Sequence, residues 1–426
     1  MRILVVHPNQ QHSYQLASAL AEKKWLAKYV TTVYYRPGSL TKFVTFFLKG
    51  KFKRKAMLRT CKSIPAFHIR QFCEAWGLLK LCTMHIPILK GLYRKVKYVT
   101  IDRFAHRVAR YAIEQKIDMV VCYDDCSAVL FQLLKQKAPH ILRVMDMSAA
   151  NLLYMRQIYE QDFLLQPQFA ALLKKERQVV WHSDNIARTK LELALTDYFL
   201  VPSSFVAKSL AYSGILPSQM KLCPYGVNVQ QFTRDEVKSL SLPLSRPLRF
   251  IYVGGVKELK GIGYLLTAIE QIPACQASLT IVGQINEDQI DLSRYRHRVK
   301  FTGNVLHEQI PRLLQSADVF VFPSLGEGLS LATLEAAACG LPLIVSENSG
   351  VNDYITEGKE GFVIPIQSTQ ALVEKMQWFI TNPEKIANMS QNARQLAQRY
   401  TWDNYKKRVH EVFEKLAKQE ELALDD

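Results

Sequence analysis

The chain has 426 residues, 48% of them hydrophobic, and its 55 lysines and arginines against 38 acids leave a formal net charge of +17. That length exceeds what one hydrophobic core normally serves, so two domains are expected. Eight cysteines lie scattered beside apolar residues, Cys223, Cys275 and Cys339 among them, which excludes a disulfide framework and reads as reduced thiols in a cytosolic protein.

In chain order, MRILVVHP opens as a strand over 2–8 without the longer apolar region or small-residue cleavage site of a signal peptide. The best candidate for a membrane span, 76–92, is broken by Lys80, His85 and Lys90, so no run reaches transmembrane length. Further strands are expected at 118–124, 141–147 and 198–203 with helical patterns between them, as in a doubly wound sheet. Cys122 and Cys126 bracket two aspartates in CYDDC, but no second Cys/His pair accompanies them to complete a zinc site. From 233 to 247 the text turns polar and is punctuated by Pro243 and Pro247, which marks a crossover between domains. The second domain starts with a strand at 248–254, and the tail from 402 to 424 is one charged amphipathic helix.

The densest chemical signal lies between 326 and 342, GEGLSLATLEAAACGLP. DVFVFP (318–323) is an apolar run that suits a parallel strand covered on both faces. A helix over 332–338 follows, with Ser330 as N-cap, Gly340 in the left-handed position past its end and Pro342 preventing continuation. Gly328, Leu329 and Ser330 then carry unsatisfied N–H groups at the carboxyl edge of a sheet, where the helix dipole favours a diphosphate. Glu327 sits in the mouth of that site, and Glu335, about two turns on, is placed for a diol such as ribose. The bland alternative is a loop charge and a solvated helix residue.

These residues resemble the Glu-x7-Glu motif of retaining, nucleotide-sugar-dependent glycosyltransferases of family 4, the glycosyl transferases group 1. Segments 253–272, 279–283, 299–305 and 313–324 resemble the later elements of that family in the same order, and 196–215 with 221–232 resemble the last strands before its crossover. The resemblance covers about 190–400 well and 1–190 in outline. It implies an α/β chain of GT-B architecture, two Rossmann-like domains facing a central cleft. The expected division is 1–238 for an acceptor and membrane domain, 239–401 for the donor domain, and 402–426 for a helix packing back on the first.

The resemblance also implies roles. Lys260 falls where the family places a phosphate-binding lysine, and Gly254, Gly255, Val305, Gly328, Leu329 and Ser330 fall in donor-binding segments. Glu327 is implied to hold the transferred sugar and Glu335 the nucleotide ribose. Many relatives carry an arginine where this chain has Gly255, and Lys257 is the nearby substitute, or else an exposed loop lysine. Relatives often carry a histidine where this chain has Asp146, which suits either sugar binding and base catalysis or a helix N-cap in DMSAAN. The first loop, 7–15, lacks the paired glycines common in relatives, and Gln11 and His12 are its expected acceptor contacts. No Asp-x-Asp motif is present, so no metal or cofactor is expected beyond a UDP- or GDP-sugar co-substrate. Retention in this family is ascribed to front-face attack assisted by the leaving phosphate. The alternatives are a non-catalytic sugar-nucleotide-binding partner subunit and a sugar-nucleotide epimerase on the same fold.

Charge points to the acceptor. Between 36 and 97 Glu74 is the single acid amid Lys49, Lys51, Lys53, Arg54, Lys55, Arg59, Lys62, Arg94, Lys95 and Lys97. Leu40, Phe43, Val44, Phe47 and Leu48 follow helical spacing, and Phe72, Trp76 and Leu79 start a second stripe. Such a region suits the interface of an anionic membrane, or else ordinary helix packing with solvated lysines. No nucleic-acid module accompanies the charge, so no nucleic acid is expected. The expectation is a cytoplasmic enzyme at the inner face of the membrane, acting on a lipid-linked or surface-polysaccharide acceptor.

Overall fold

The structure, a computed structural model, describes residues 1–9, 12–233, 244–285 and 290–424. The first sheet comprises β1 (Ile3–Val6), β2 (Leu26–Thr31), β3 (Ile69–Gln71), β4 (Met119–Tyr123), β5 (Leu142–Asp146), β6 (Tyr198–Val201) and β7 (Met220–Leu222), in the spatial order β3-β2-β1-β4-β5-β6-β7. The second comprises β8 (Leu248–Val253), β9 (Ala277–Val282), β10 (Val299–Gly303), β11 (Val319–Phe322), β12 (Leu343–Ser346) and β13 (Gly361–Ile364), in the order β10-β9-β8-β11-β12-β13. Neighbours in both sheets run parallel. This is the GT-B architecture, two doubly wound sheets in one chain.

Period two explains how the first sheet is covered on both faces. Ile3 and Val5 enter one core cluster while Leu4 and Val6 enter the other, because alternate side chains of a strand point to opposite faces. The cluster containing Ile3 continues through Tyr159, Phe169 and Phe205 into the second domain around Phe250 and Phe320. The two domains therefore share apolar contact near their cleft.

The expected second-domain helix is found at Leu331–Ala338, where the Ser330 hydroxyl accepts from the Thr333 N–H at 3.3 Å and Gly340 takes φ +69°. The expected strand at 198–203 stops at Val201, because Ser203 instead caps the helix Ser204–Ala211 by accepting from the Val206 N–H. The proposed boundary at 238 and most of the crossover lie outside the described residues. On either side of it, Val227 N–H donates to the Tyr400 carbonyl at 2.8 Å, so both chain passes between the domains run together.

The final helix, Trp402–Leu424, packs on the first domain's helix Ser13–Glu22. Tyr405, Val409, Phe413 and Leu416 recur at helical spacing and are buried, each contributing roughly 1.5–3 kcal/mol. His410 Nε2 meets the Ala19 carbonyl at 2.7 Å and Lys406 meets Glu22 at 2.5 Å, fixing the helix's register.

Candidate functional site

In a doubly wound sheet, ligands bind outside the carboxyl ends of the strands where the strand order reverses. Here those points lie between β1 and β4 and between β8 and β11. The second holds the residues singled out from the sequence. Gly254 and Gly255 leave β8, and the Tyr252 hydroxyl donates to the Gly255 carbonyl at 3.0 Å. Lys260 closes a short 3-10 turn, Glu258–Lys260, and Gly261 follows at φ +69°. A Cβ at 261 would stand 1.9 Å from the Pro323 carbonyl oxygen, so glycine is what lets this turn press against the end of β11.

That approach brings Lys260 to Glu327. The ammonium bonds Glu327 Oε1, and the Ser324 hydroxyl donates to the same oxygen at 2.7 Å. The expected phosphate cation and sugar carboxylate are thus paired with each other. The anticipated N–H nest is smaller than expected, because the Ser330 N–H is taken by the Ser349 carbonyl at 3.1 Å.

Glu335 is not a solvated helix residue. It is largely buried and meets His307 Nε2 at 3.0 Å. His307 stands two residues beyond the half-buried Val305, past the end of β10, and its Nδ1 lies 3.3 Å from the Gln231 side-chain amide. The hydrogen bond to Glu335 raises the His307 pKa above its ordinary value. Sequence reasoning missed this histidine; its closeness in the chain to Val305 was the one signal on offer.

Across the cleft, Asp146 ends β5 buried, with His12 Nε2 at 3.2 Å from Oδ2 and the Tyr225 hydroxyl at 3.4 Å from Oδ1. The His12 ring lies 4.2 Å from that of Tyr225. The N-cap alternative for Asp146 is overturned: the next helix starts at Leu152, and Asn151 caps it by accepting from the Leu153 N–H at 3.0 Å. Gln11 lies outside the described residues.

Lys257 pairs with Glu176 of the first domain at 2.9 Å rather than standing as a free loop charge. Around Gly255 a Cβ would meet only the Lys257 Cγ, at 3.9 Å. Gly328 touches the first domain directly. A Cβ there would lie 2.1 Å from the Ser148 carbonyl oxygen, and the Ser203 hydroxyl donates to the Gly328 carbonyl at 2.6 Å. Between the domains, a cavity of about 370 Å³ is lined by Asp124, Met147, Met155, Glu192, Leu259 and Gly326. Burial pushes the Glu192 carboxyl up to about 7, and it accepts from the Ser127 N–H at 2.9 Å.

The basic stretch forms two helices, Leu40–Phe47 and Gly50–Met57. Phe43 is 64% and Phe47 66% exposed, with Phe46 beside them and Lys53, Arg54 and Lys55 in solvent. The Lys51 side chain lies outside what is described. The second stripe is corrected: Phe72 packs on Tyr111 and Trp76 lies under the Arg103 guanidinium, so both are half-buried. Cys122 and Cys126 bring their sulfurs to 3.7 Å, and among the described residues no three His, Cys, Asp or Glu side chains converge as a metal site.

Two parallel doubly wound sheets, with a lysine, a glutamate and glycine turns at the second switch point, define a GT-B chain. Residues 234–396 match the model of the family Glycosyl transferases group 1. The chain is 29% identical over 216 residues to the sulfoquinovosyl transferase SQD2 of Arabidopsis thaliana, covering 48% of this chain and 42% of that one. It is 31% identical over 224 residues to the amylovoran biosynthesis glycosyltransferase AmsK of Erwinia amylovora, covering 47% and 54%. The chain thus spans about half the length of these curated relatives. Among solved structures, Anabaena Alr3699/HepE in complex with UDP aligns with a TM-score of 0.63 at 17% identity, over 97% of this chain and all of that one.

Proposed function

We propose that this chain is a glycosyltransferase that moves a sugar from a nucleoside-diphosphate sugar to a lipid-linked or cell-surface polysaccharide acceptor, with retention and without a metal. The observation that carries the reading is the Lys260 and Glu327 pair at the second switch point, facing Asp146 and His12 across the cleft. A leaving diphosphate gains negative charge as the glycosidic bond breaks, and Lys260 with the Gly328 and Leu329 backbone is aimed at that charge. Glu327, released from Lys260, holds the transferred sugar, and Glu335 holds the ribose under the restraint of His307. Asp146, held by His12 and Tyr225, faces the acceptor side.

The donor is a UDP- or GDP-sugar; the UDP complex of the Anabaena relative supports the former. The polysaccharide acceptor follows the naming of the AmsK relative. Among the described residues no helix is long and apolar enough to cross a membrane. The exposed phenylalanines and lysines of 40–57 favour a peripheral site of action at the inner face of the cell membrane. Arg54 approaches Glu308 of the donor domain at 3.9 Å, so this basic surface borders the cleft.

The test is product formation by purified protein with UDP- and GDP-sugars, chosen by thermal shift. A donor at a hundredfold its dissociation constant stabilises by about 2.7 kcal/mol. Donor binding without transfer to any acceptor would favour the partner-subunit alternative, and conversion of the donor alone the epimerase.

A further inference from the structure

The first sheet has its own switch point, between β1 and β4, and a cation occupies it. Lys80 lies on the helix Glu74–His85, which runs close against β2's end: a Cβ on Gly77 would stand 2.6 Å from Thr32 Oγ1. The helix therefore delivers the Lys80 ammonium to the loop after β1, where it bonds the side-chain oxygen of Asn9. That loop is held from below, with the Thr32 hydroxyl donating to the Pro8 carbonyl at 2.6 Å. Lys80 is only 3% exposed, and among the described residues no carboxylate pairs with it.

A buried ammonium facing one neutral amide oxygen is poorly compensated, since burying an unpaired charge is costly. Its surroundings sharpen the point. Asp125, in the loop after β4, is already neutralised by Lys97 at 2.5 Å. The charge of Arg59 also acts on Lys80, and Arg59 has no carboxylate partner among the described residues. Burial first, then Arg59, lowers the Lys80 pKa to about 8. Among the described residues neither Lys80 nor Arg59 is ion-paired with a carboxylate, and a dianion matches two such cations better than a single carboxylate does. The Asn9 side chain is the gate: the residue is exposed, and its amide oxygen occupies the position an anionic oxygen would take.

We propose that the switch-point crevice of the first domain binds a phosphoryl group of the acceptor, with Lys80 as its ligating cation and Arg59 as its second. Calling the ligand the acceptor rests on the glycosyl-transfer reading; the existence of the phosphoryl site does not. The group belongs either to the diphosphate of a lipid-linked acceptor or to a phosphorylated sugar.

The test titrates inorganic phosphate calorimetrically into the Lys260→Met variant, in which the donor-side cation is removed. Binding should persist there and weaken at least about tenfold when Lys80→Met is added, the scale of one charge-assisted hydrogen bond. Asn9→Ala in the same background should strengthen binding, because the competing amide oxygen is gone; a lysine that merely pins the loop predicts no gain. If the Lys80→Met protein fails to fold, Arg59→Gln carries the test and should also weaken binding. Equal phosphate affinity with and without Lys80, or unchanged affinity in both Asn9→Ala and Arg59→Gln, would overturn the proposal. Butyl diphosphate and hexose 6-phosphate then separate the sources, the tighter ligand naming the class. No transfer occurs in these titrations, so a failed phosphate site and a failed transferase reading give different results.

Discussion

The Tyr264 hydroxyl of the second domain donates to Asp162 Oδ1 of the first at 2.7 Å, and the Gln367 side chain also acts on that buried carboxyl. Glu258, which opens the turn carrying Lys260, is also buried, with its Oε1 unpartnered. Burial pushes Asp162 up to about 6 and Glu258 well above its ordinary value. Burial thus favours the protonated form of two carboxyls where the domains meet.

The sign of the pH dependence follows. A carboxyl whose pKa is raised in the native state supports that state fully below its ordinary value of 3.8, and the support is lost as pH rises through about 6. Asp162→Asn should therefore raise the melting temperature at pH 7 to 8 and lose that advantage near pH 4. The ceiling is about 3 kcal/mol, two pKa units at 1.36 kcal/mol each. A variant less stable than wild type at pH 8 in calorimetry would show that the carboxylate is needed ionised.

Glu335→Ala should weaken nucleotide binding, whereas Glu327→Ala should mainly lower kcat, because one is assigned to ribose and the other to the reacting sugar. Losing a charge-assisted hydrogen bond costs about 1.5–3 kcal/mol, roughly ten- to hundredfold in affinity. Calorimetry with free nucleotide checks the split, and unchanged affinity in Glu335→Ala removes the ribose assignment. His307→Ala should weaken nucleotide binding by a smaller factor, since it acts through Glu335.

Turnover should persist in EDTA, and Lys260→Ala should reduce it by about a hundredfold or more, the scale of losing one fixed group aimed at the developing charge. Loss of activity in EDTA that magnesium restores would argue against an account built on the cation and the backbone donors alone.

What the sequence made legible was local. The strand at 318–323, the capped helix after it and the tail helix follow from period, cap and stop signals within one window. So do Lys260 and Glu327 as site residues, but not their pairing: that depends on Gly261 pressing on Pro323, 62 residues further along the chain. The short edge strand β3 escaped because IRQ has no pattern of its own and is recruited by its neighbour, Ile69 lying opposite Tyr29. Asp146 stayed ambiguous because its resolving partners, His12 and Tyr225, lie 134 and 79 residues away. Lys80 read as an interruption of an apolar run, and its place beside Asn9 comes from helix packing alone.

The exposed basic surface carries the last prediction. Helix Leu40–Phe47 is anchored by Glu74, whose Oε1 accepts from the Thr41 N–H at 2.7 Å, and that contact turns Phe43, Phe46 and Phe47 outward. Three outward phenylalanines beside Lys53, Arg54 and Lys55 combine apolar area with charge, and each near-surface cation is worth about 1 kcal/mol on an anionic bilayer. The protein should sediment with anionic vesicles and much less with neutral ones. At 1 M salt the electrostatic reach shortens to about 3 Å, so the fraction that stays bound reports the phenylalanines. Replacing Lys51, Lys53, Arg54 and Lys55 with serine should reduce vesicle binding and turnover on a lipid-linked acceptor while leaving donor affinity unchanged, because Lys260, Glu327 and Glu335 all lie in the second domain. Phe43→Ser with Phe46→Ser and Phe47→Ser should abolish the salt-resistant fraction. Equal partitioning of wild type and the four-residue variant onto anionic vesicles would reject a membrane role and leave these lysines as a solvated face.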